Sequence, residues 1–321
     1  MTDRPALRIG TRASLLARTQ TGWVADQISA LGHAVTIETI QTSGDERGDV
    51  PVPRIGGDGV FVRELEAALL DGRIDVAVHS LKDLPTATTA GLSLTCVPRR
   101  ELPFDVLVSQ RYSGLDALPP GAAIGTSSIR RALQLRALRP DVEVRGVRGN
   151  VDSRLRRLDA GEYDGLVLAG AGLVRLGLES RITEILRPEA FWPAVGQGAL
   201  VVQTRIDDAV TRAAVAPLDD AVTHAAVRAE RGFLAALAGG CLAPIGAWAR
   251  AGAGGGLELG GCVLEDRGGV VRRIVAAGVA PPDQSPEAFG AAIAEQLRAA
   301  GADDMLAAAR AAAPTRPADG S

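Results

Sequence analysis

The sequence predicts an α/β protein completed by a smaller α+β unit, and three observations carry that reading. Short apolar strands and amphipathic helices alternate in two successive sets through the first two thirds of the chain, the order that builds strands covered by helices. After Asp219 the alternation stops, and one long helix is followed by glycine-rich strands and then by two helices. At 321 residues the chain is also long for one hydrophobic core, so more than one domain is expected.

In the first set, residues 7–10 read as a short buried strand. Residues 14–31 carry helical apolar spacing behind Ser14, a residue type that caps helix N-termini. Residues 35–40 alternate as a strand. The polar, glycine-containing stretch 42–59 is too long for an ordinary turn and reads as a functional loop. A helix over 60–70 and a strand over 74–78 complete a β-α-β-α-β run, which implies a parallel sheet.

The second set begins after Pro98–Pro103. Strands are expected at 105–109, 122–125, 142–145 and 165–169, with helices over 127–138 and 151–160; residues 193–198 read as a crossing segment. The last unit has a helix over 219–238, strands at 245–249, 257–263 and 270–275, and helices over 286–300 and 302–312, with a disordered tail at 313–321. The expected division is residues 1–98 with 199–217, then 104–193, then 220–312.

Composition excludes several classes of function. A net charge of −3 gives no general attraction to nucleic acid or to an anionic membrane. The N-terminal residues lack an apolar signal core, and no apolar run approaches a membrane span, so a cytoplasmic protein is expected. Cys96, Cys241 and Cys262 are far apart and odd in number, and the three histidines lack ligand spacing, so neither a disulfide framework nor a metal site is expected. Lys82 is the only lysine among 35 cationic side chains. Its compact ammonium is not equivalent to the planar fork of arginine, which marks the position.

Three segments concentrate chemistry. His79-Ser80-Leu81-Lys82-Asp83 follows a buried strand, at the sheet edge where open α/β folds bind ligands. Lys82 could hold an anion there while Asp83 faces a developing cation or an N–H donor. A capping Asp83 beside a solvated lysine would fit the same residues. Gly125-Thr126-Ser127-Ser128-Ile129-Arg130-Arg131 joins a strand to a helix start, a ready anion site. Cations in a first helical turn oppose the helix dipole by about 0.3–1 kcal/mol each, so stability alone does not account for the two arginines. Arg148-Gly149-Asn150 and Arg154 repeat the theme at the next helix start. Stacking aromatics are missing from this cluster, which favours a small polyanion over a nucleic acid. The third segment, Gly239-Gly240-Cys241-Leu242-Ala243-Pro244, leaves one thiol on a permissive turn, whereas Cys96 and Cys262 lie in strand-like apolar runs. Gly56-Gly57-Asp58-Gly59 lacks the Lys-Ser/Thr ending of a phosphate loop.

Together these segments resemble the porphobilinogen deaminase (hydroxymethylbilane synthase) family. The resemblance runs in family order through residues 9–14, 61–66, 79–85, 100–105, 125–131, 148–150, 173–178, 193–198 and 239–246. It implies two periplasmic-binding-protein-like α/β lobes joined by two crossings, plus a third domain with the cysteine on a loop. It also implies a transferase that adds four porphobilinogen molecules head to tail, with loss of ammonia, onto one covalent dipyrromethane cofactor per chain. Cys241 would carry that cofactor by a thioether, and Asp83 would stabilise the cation left when ammonia departs. Lys82, Ser80, Thr126, Ser127, Ser128, Arg130, Arg131 and Arg148 map onto cofactor-binding positions. Arg12, Ser14, Arg154, Arg175 and Gln197 map onto substrate-binding ones. No metal and no macromolecular partner is implied, and a monomer is expected. Two residues depart from the family pattern: Asp58 stands where a lysine is usual, and Ala238 where a glutamate precedes the glycine pair. The rival reading, two lobes closing on an anionic metabolite without chemistry, explains the arginines but leaves Cys241 without a task.

Overall fold

Strands of Val, Ile, Leu and Ala, too short to stand alone, build this molecule by joining two five-stranded sheets and one three-stranded sheet. The computed structural model describes residues 6–41, 62–188, 190–240, 243–281 and 283–312. The expected loop 42–59 with Asp58, the cysteine Cys241 and the tail 313–321 lie outside the described residues.

The first region runs β1 (Leu7–Thr11), α1 (Leu15–Ala30), β2 (Val35–Thr39), α2 (Arg63–Leu70), β3 (Val76–Ser80), a 3-10 turn (Leu81–Asp83) and β4 (Leu92–Cys96). The second comprises β5 (Asp105–Val108), β6 (Ala123–Gly125), α3 (Ile129–Leu138), β7 (Glu143–Arg145), α4 (Val151–Asp159), β8 (Gly165–Ala169), α5 (Gly170–Arg175) and β9 (Glu184–Leu186). Then come β10 (Leu200–Arg205) and α6 (Ala209–Val215). The last region contains α7 (Ala221–Ala236), β11 (Ile245–Ala251), β12 (Leu257–Arg267), β13 (Val270–Val279), α8 (Pro286–Ala299) and α9 (Ala302–Ala312).

The strand orders are β2-β1-β3-β10-β4 and β7-β6-β8-β5-β9, the same arrangement twice. In each lobe three neighbouring strands run parallel, as the alternating pattern predicts. The sheets are nevertheless mixed. β10 lies antiparallel between β3 and β4, and β5 lies antiparallel between β8 and β9. β10 escaped recognition because Gln203 and Thr204 interrupt its apolar run, although both are buried. β4 alternates Ser93 and Thr95 with apolar residues at a sheet edge, and β9 has three residues, too few for a periodic signal.

Cores form on both faces of each large sheet. Ile9, Val24, Ile28, Val76 and Val202 pack on one side of the first sheet, and Leu65, Leu69, Ile74 and Ala77 on the other. The second sheet buries Leu107, Ile124 and Leu135 on one face and Val106, Leu155 and Leu166 on the other. The third unit packs α7, α8 and α9 on the antiparallel sheet β11-β12-β13 through Phe233, Phe289, Ile293 and Met305. No helix of the described residues is long and apolar enough to cross a membrane.

The α7–α8 contact depends on glycine. A Cβ on Gly290 would stand 2.0 Å from the Ala229 carbonyl oxygen and 2.7 Å from the Phe233 nitrogen, both backbone atoms that cannot move aside. Overpacking of this kind costs about 1–3 kcal/mol. Gly290→Ala should therefore lower the unfolding free energy by that amount, seen as a lower urea midpoint with little change in slope in equilibrium denaturation; an unchanged midpoint would mean that the helices do not pack this closely.

Candidate active site

The site begins where β3 runs out. Leu81 donates its N–H to the Ala199 carbonyl at 3.0 Å, and Leu84 donates to the Leu81 carbonyl at 3.1 Å, so the chain tightens into the 3-10 turn. Leu81 and Leu84 turn inward, 2% and 4% exposed, against Val62, Val97, Val201 and Val227. Lys82 and Asp83 between them are half-buried. The backbone is extended at Leu84, so Asp83 caps no α-helix. Ser80, which ends β3, exchanges hydrogen bonds with the Gln20 side chain of α1 at 3.2 and 3.3 Å. Ser14 caps α1 by accepting from the Ala17 N–H at 3.3 Å, and Arg12 sits half-buried just before it.

Burial lowers the Lys82 ammonium to about 8, Asp83 and Asp105 raise it, and Arg131 and Arg130 lower it. Those last three residues belong to the other lobe. The lysine of the first sheet therefore lies within the electrostatic field of the arginine pair of the second. Immediately behind it, the buried His79 shares a hydrogen bond of 2.9 Å between Nε2 and Gln203 Oε1. Gln203 in turn donates to Glu66 Oε1 at 2.8 Å, and Thr89 donates to Glu66 Oε2 at 2.7 Å. Burial drives His79 down to about 4, so it is neutral at physiological pH.

In the second lobe β6 delivers residues 125–131 to the start of α3. Its hydroxyls all hold local structure. Thr126 Oγ1 accepts from the Ser128 N–H at 3.2 Å, Ser128 caps α3, and Ser127 Oγ donates to the Val147 carbonyl at 2.7 Å while accepting its N–H at 3.1 Å. Arg130 and Arg131 are not solvated cations on a helix face: they are 4% and 7% exposed. Both converge on Asp105, which has no exposure at all. Arg130 Nη1 donates to Asp105 Oδ2 at 2.7 Å and also to the Trp192 carbonyl. Arg131 donates from Nε to Asp105 Oδ1 at 2.9 Å, from Nη1 to the Val167 carbonyl at 3.1 Å, and from Nη2 to Gln197 Oε1 at 3.3 Å. Burial would raise the Asp105 carboxyl, but Arg130 and Arg131 hold it at about 2. A buried carboxylate thus offsets the dipole conflict seen in the sequence.

Other arginines have less compensation. Arg154 donates from Nε to the Gly149 carbonyl at 2.8 Å, and Arg175 from Nη2 to the Gly198 carbonyl at 2.7 Å. Burial brings both down to about 10; Arg131 and the half-buried Arg148 lower Arg154 further, while Glu101 partly restores Arg175. Like-charged neighbours raise the energy of such a cluster, so it is built to receive negative charge.

Gln197 lies in the interior of the junction. It has no exposure, and its amide donates to the Pro103 carbonyl at 2.9 Å and to Asp105 Oδ1 at 3.0 Å. Both amide protons are engaged beneath the cleft, which makes Gln197 a brace. Sequence reasoning assigned no role to three further residues: Asp105 and Arg100, noted only within the segment 100–105, and Glu230. Arg100 binds Glu230 through two hydrogen bonds of 2.6 and 3.1 Å and donates from Nε to the Gln197 carbonyl at 2.8 Å. Glu230 stands on the apolar stripe of α7 with Ala226, Val227, Phe233 and Leu234, and a lone acid on such a stripe was the available signal.

Past α7 the chain approaches the cysteine segment through Ala238, whose φ of 48° is left-handed for a residue with a Cβ. The Ala238 carbonyl accepts from Arg310 at 3.0 Å, and the Gly239 N–H donates to Leu234 at 3.1 Å. Cys96 and Cys262 are fully buried, and burial pushes both thiols up to about 12, so neither is a nucleophile at neutral pH.

Comparison with known proteins gives concordant matches. The family model described as "Porphobilinogen deaminase, dipyromethane cofactor binding domain" matches residues 7–213, and "Porphobilinogen deaminase, C-terminal domain" matches residues 224–299. A porphobilinogen deaminase of Syntrophotalea carbinolica is 48% identical over 306 residues, spanning 94% of this chain and 96% of that protein. That of Roseiflexus castenholzii is 47% identical over 306 residues, with 95% and 99% covered, and that of Brevibacillus brevis 45% over 302 residues, with 94% and 96% covered.

His79 makes the site sensitive to acid. Its folded value of about 4 lies below the ordinary 6.5, so the unfolded chain binds the extra proton first as pH falls. The stability that neutral His79 contributes is complete above pH 6.5 and is lost progressively toward pH 4, by an amount on the order of 3 kcal/mol. His79→Asn should flatten the fall in unfolding free energy over that interval, measured by denaturant titration at each pH; an identical pH slope would refute this.

Proposed function

The chain belongs to the porphobilinogen deaminase family, and from that premise we propose that Asp83 is its catalytic residue and Cys241 the anchor of its cofactor. The protein is a transferase of tetrapyrrole biosynthesis that deaminates and polymerises four porphobilinogen molecules into hydroxymethylbilane, with a dipyrromethane cofactor-binding domain. The observation that carries the residue assignment is the Lys82-Asp83 turn, held by the buried Leu81 and Leu84 and lying in the electrostatic field of arginines from the other lobe.

The residues suit the cofactor. Each pyrrole of a dipyrromethane bears acidic side chains, and the cleft supplies cations that lack full compensation: Arg148, Arg154, Arg175 and the depressed Lys82. Arg130 and Arg131 add a pair fixed by Asp105. Ser80, Thr126, Ser127 and Ser128 shape the helix and strand ends that would hold the cofactor, and Arg12, Ser14, Arg154 and Arg175 would take the acidic groups of incoming substrate. When bound, the cofactor supplies the pyrrole carbon to which the first substrate is joined.

The chain's own residues then do electrostatic work. Asp83, half-buried and adjacent to Lys82, offers a carboxylate to pyrrole N–H groups and to the cation that substrate becomes on losing ammonia. Arginine forks hold carboxylates in place without exchanging protons, so they orient the chain while Asp83 relays a proton. Lys82 gains a carboxylate partner on binding, which restores its ordinary basicity. We further infer a division into residues 1–98 with 199–217, 104–193 and 220–312, a monomer with porphobilinogen as substrate and neither nucleic acid nor membrane as partner, and a cytoplasmic location. The strand orders support the division, and the modest net charge supports the reading that neither nucleic acid nor membrane is a partner.

Intact mass spectrometry of protein from a host that makes porphobilinogen should read the chain plus two pyrrole units, and Cys241→Ser should read the bare chain. An unmodified, folded parent would overturn the reading. Asp83→Asn should keep the added mass and lose turnover by a factor of 100 or more, on the order of general acid–base contributions. Product formation near the parent rate would remove Asp83 from the chemistry.

A further inference from the structure

Asp105 stands at the first residue of β5, where the first crossing enters the second lobe, and it does something different to each arginine it binds. Arg131 turns its Nε and Nη2 toward Asp105, with Nη2 2.7 Å from Oδ1, and commits Nη1 to the Val167 carbonyl. Arg130 is anchored at Nη1 alone, to Asp105 Oδ2 and the Trp192 carbonyl. Its Nε and Nη2 make no hydrogen bond among the described residues. That edge is the one that grips a carboxylate with two parallel bonds, as Arg8 grips Asp75 from Nε and Nη2 at 3.0 and 2.8 Å in this same molecule. One buried carboxylate therefore decides which fork remains available.

Asp105 also acts on the field. It raises the basicity of Lys82 while Arg130 and Arg131 lower it, so its negative charge cancels part of the two cations facing the Asp83 turn. Gln197 completes the arrangement from the second crossing, donating to Asp105 Oδ1 at 3.0 Å and accepting from Arg131 Nη2 at 3.3 Å. Asp105 touches no solvent, so it acts without contacting the ligand, through the arginines it binds and through its field at Lys82.

We propose that Asp105 is a positioning residue of the polymerisation, fixing Arg130 by Nη1 and Arg131 by Nε so that the Nε–Nη2 edge of Arg130 is presented to a ligand carboxylate. This rests on the functional reading above. Substitution by asparagine keeps the shape but removes the charge and places N–H donors against N–H donors. The arginines retain their charge and lose their pose. Ligand affinity is maintained while the growing chain is misplaced for the next addition.

The test is Asp105→Asn in the full chain, with kcat and KM measured per cofactor-bearing molecule and the elongation states read by intact mass. The expected result is a kcat at least tenfold lower, a KM unchanged or reduced, and accumulation of enzyme carrying partly grown chains. A kcat within twofold of the parent, or a loss confined to KM, would overturn the proposal whatever the melting temperature does. Should the variant fail to fold, Gln197→Met keeps every charge and removes only the amide brace: a kcat about threefold lower with full cofactor content is expected, and parental kcat would overturn the proposal. Failure of the functional reading itself is distinct, since it would leave the parent chain without the two-pyrrole mass.

Discussion

Glu230 carries its charge where no solvent reaches, and the three units of the chain meet in the way that charge is satisfied. Its two oxygens accept from Arg100 on the first crossing, from the Gly196 N–H at 2.6 Å on the second crossing, and from the Ala249 N–H at 2.8 Å on β11. Removing any one donor leaves part of a buried carboxylate unpaired, a change that typically costs several kcal/mol. The pair contributes less to net stability than to register: both crossings are held against the helix that leads to the cysteine segment. Gly198 fits the same junction, with φ of 86° and a would-be Cβ only 2.5 Å from the Glu101 carbonyl oxygen, so the two crossings touch backbone to backbone.

From that junction a continuous buried path leads to the cleft. Arg100 holds the Gln197 backbone, Gln197 holds Asp105 and Arg131, and Asp105 holds Arg130. Two acids and three arginines alternate along it, which leaves one positive charge in excess at the end that faces Lys82. The cleft is thus not merely rich in arginine. Part of the charge is neutralised internally and serves geometry, as Arg130 and Arg131 do on Asp105.

The architecture was legible where periodicity was strong: α1, α3, α7, α8 and the first parallel strands follow directly from apolar spacing. It failed where burial and polarity coincide. Gln203 and Thr204 hid β10, and with β10 unseen the first sheet read as parallel rather than mixed. The site divides in the same manner. Lys82 stood out by composition and the helix-start arginines by their conflict with the dipole, both local signals. The partners of Asp105 and Glu230 gave no such signal: Glu230 is marked only as an acid on an apolar stripe, and nothing in a linear reading joins residue 105 to 130 or 100 to 230. Gln197 was found as part of a segment, but its bonds to Pro103 and Asp105 were not legible, since its orientation depends on those same unseen partners.

The repeated strand order also bears on the order of synthesis. Among the described residues β4 pairs only with β10, Cys96 opposite Val202, and β10 emerges from the ribosome after the whole second lobe. The second lobe needs no such delay, since β5 precedes β6, β7, β8 and β9, all of which follow closely. The nascent first lobe must therefore hold an unzipped sheet, with the edge of β3 exposed and β4 unattached, while its neighbour completes itself. Such an open edge is a template for the wrong strand. The lobe made first is the lobe finished last, and the turn bearing Asp83 is anchored only then, because its leading N–H bonds to Ala199 at the entrance of the late strand.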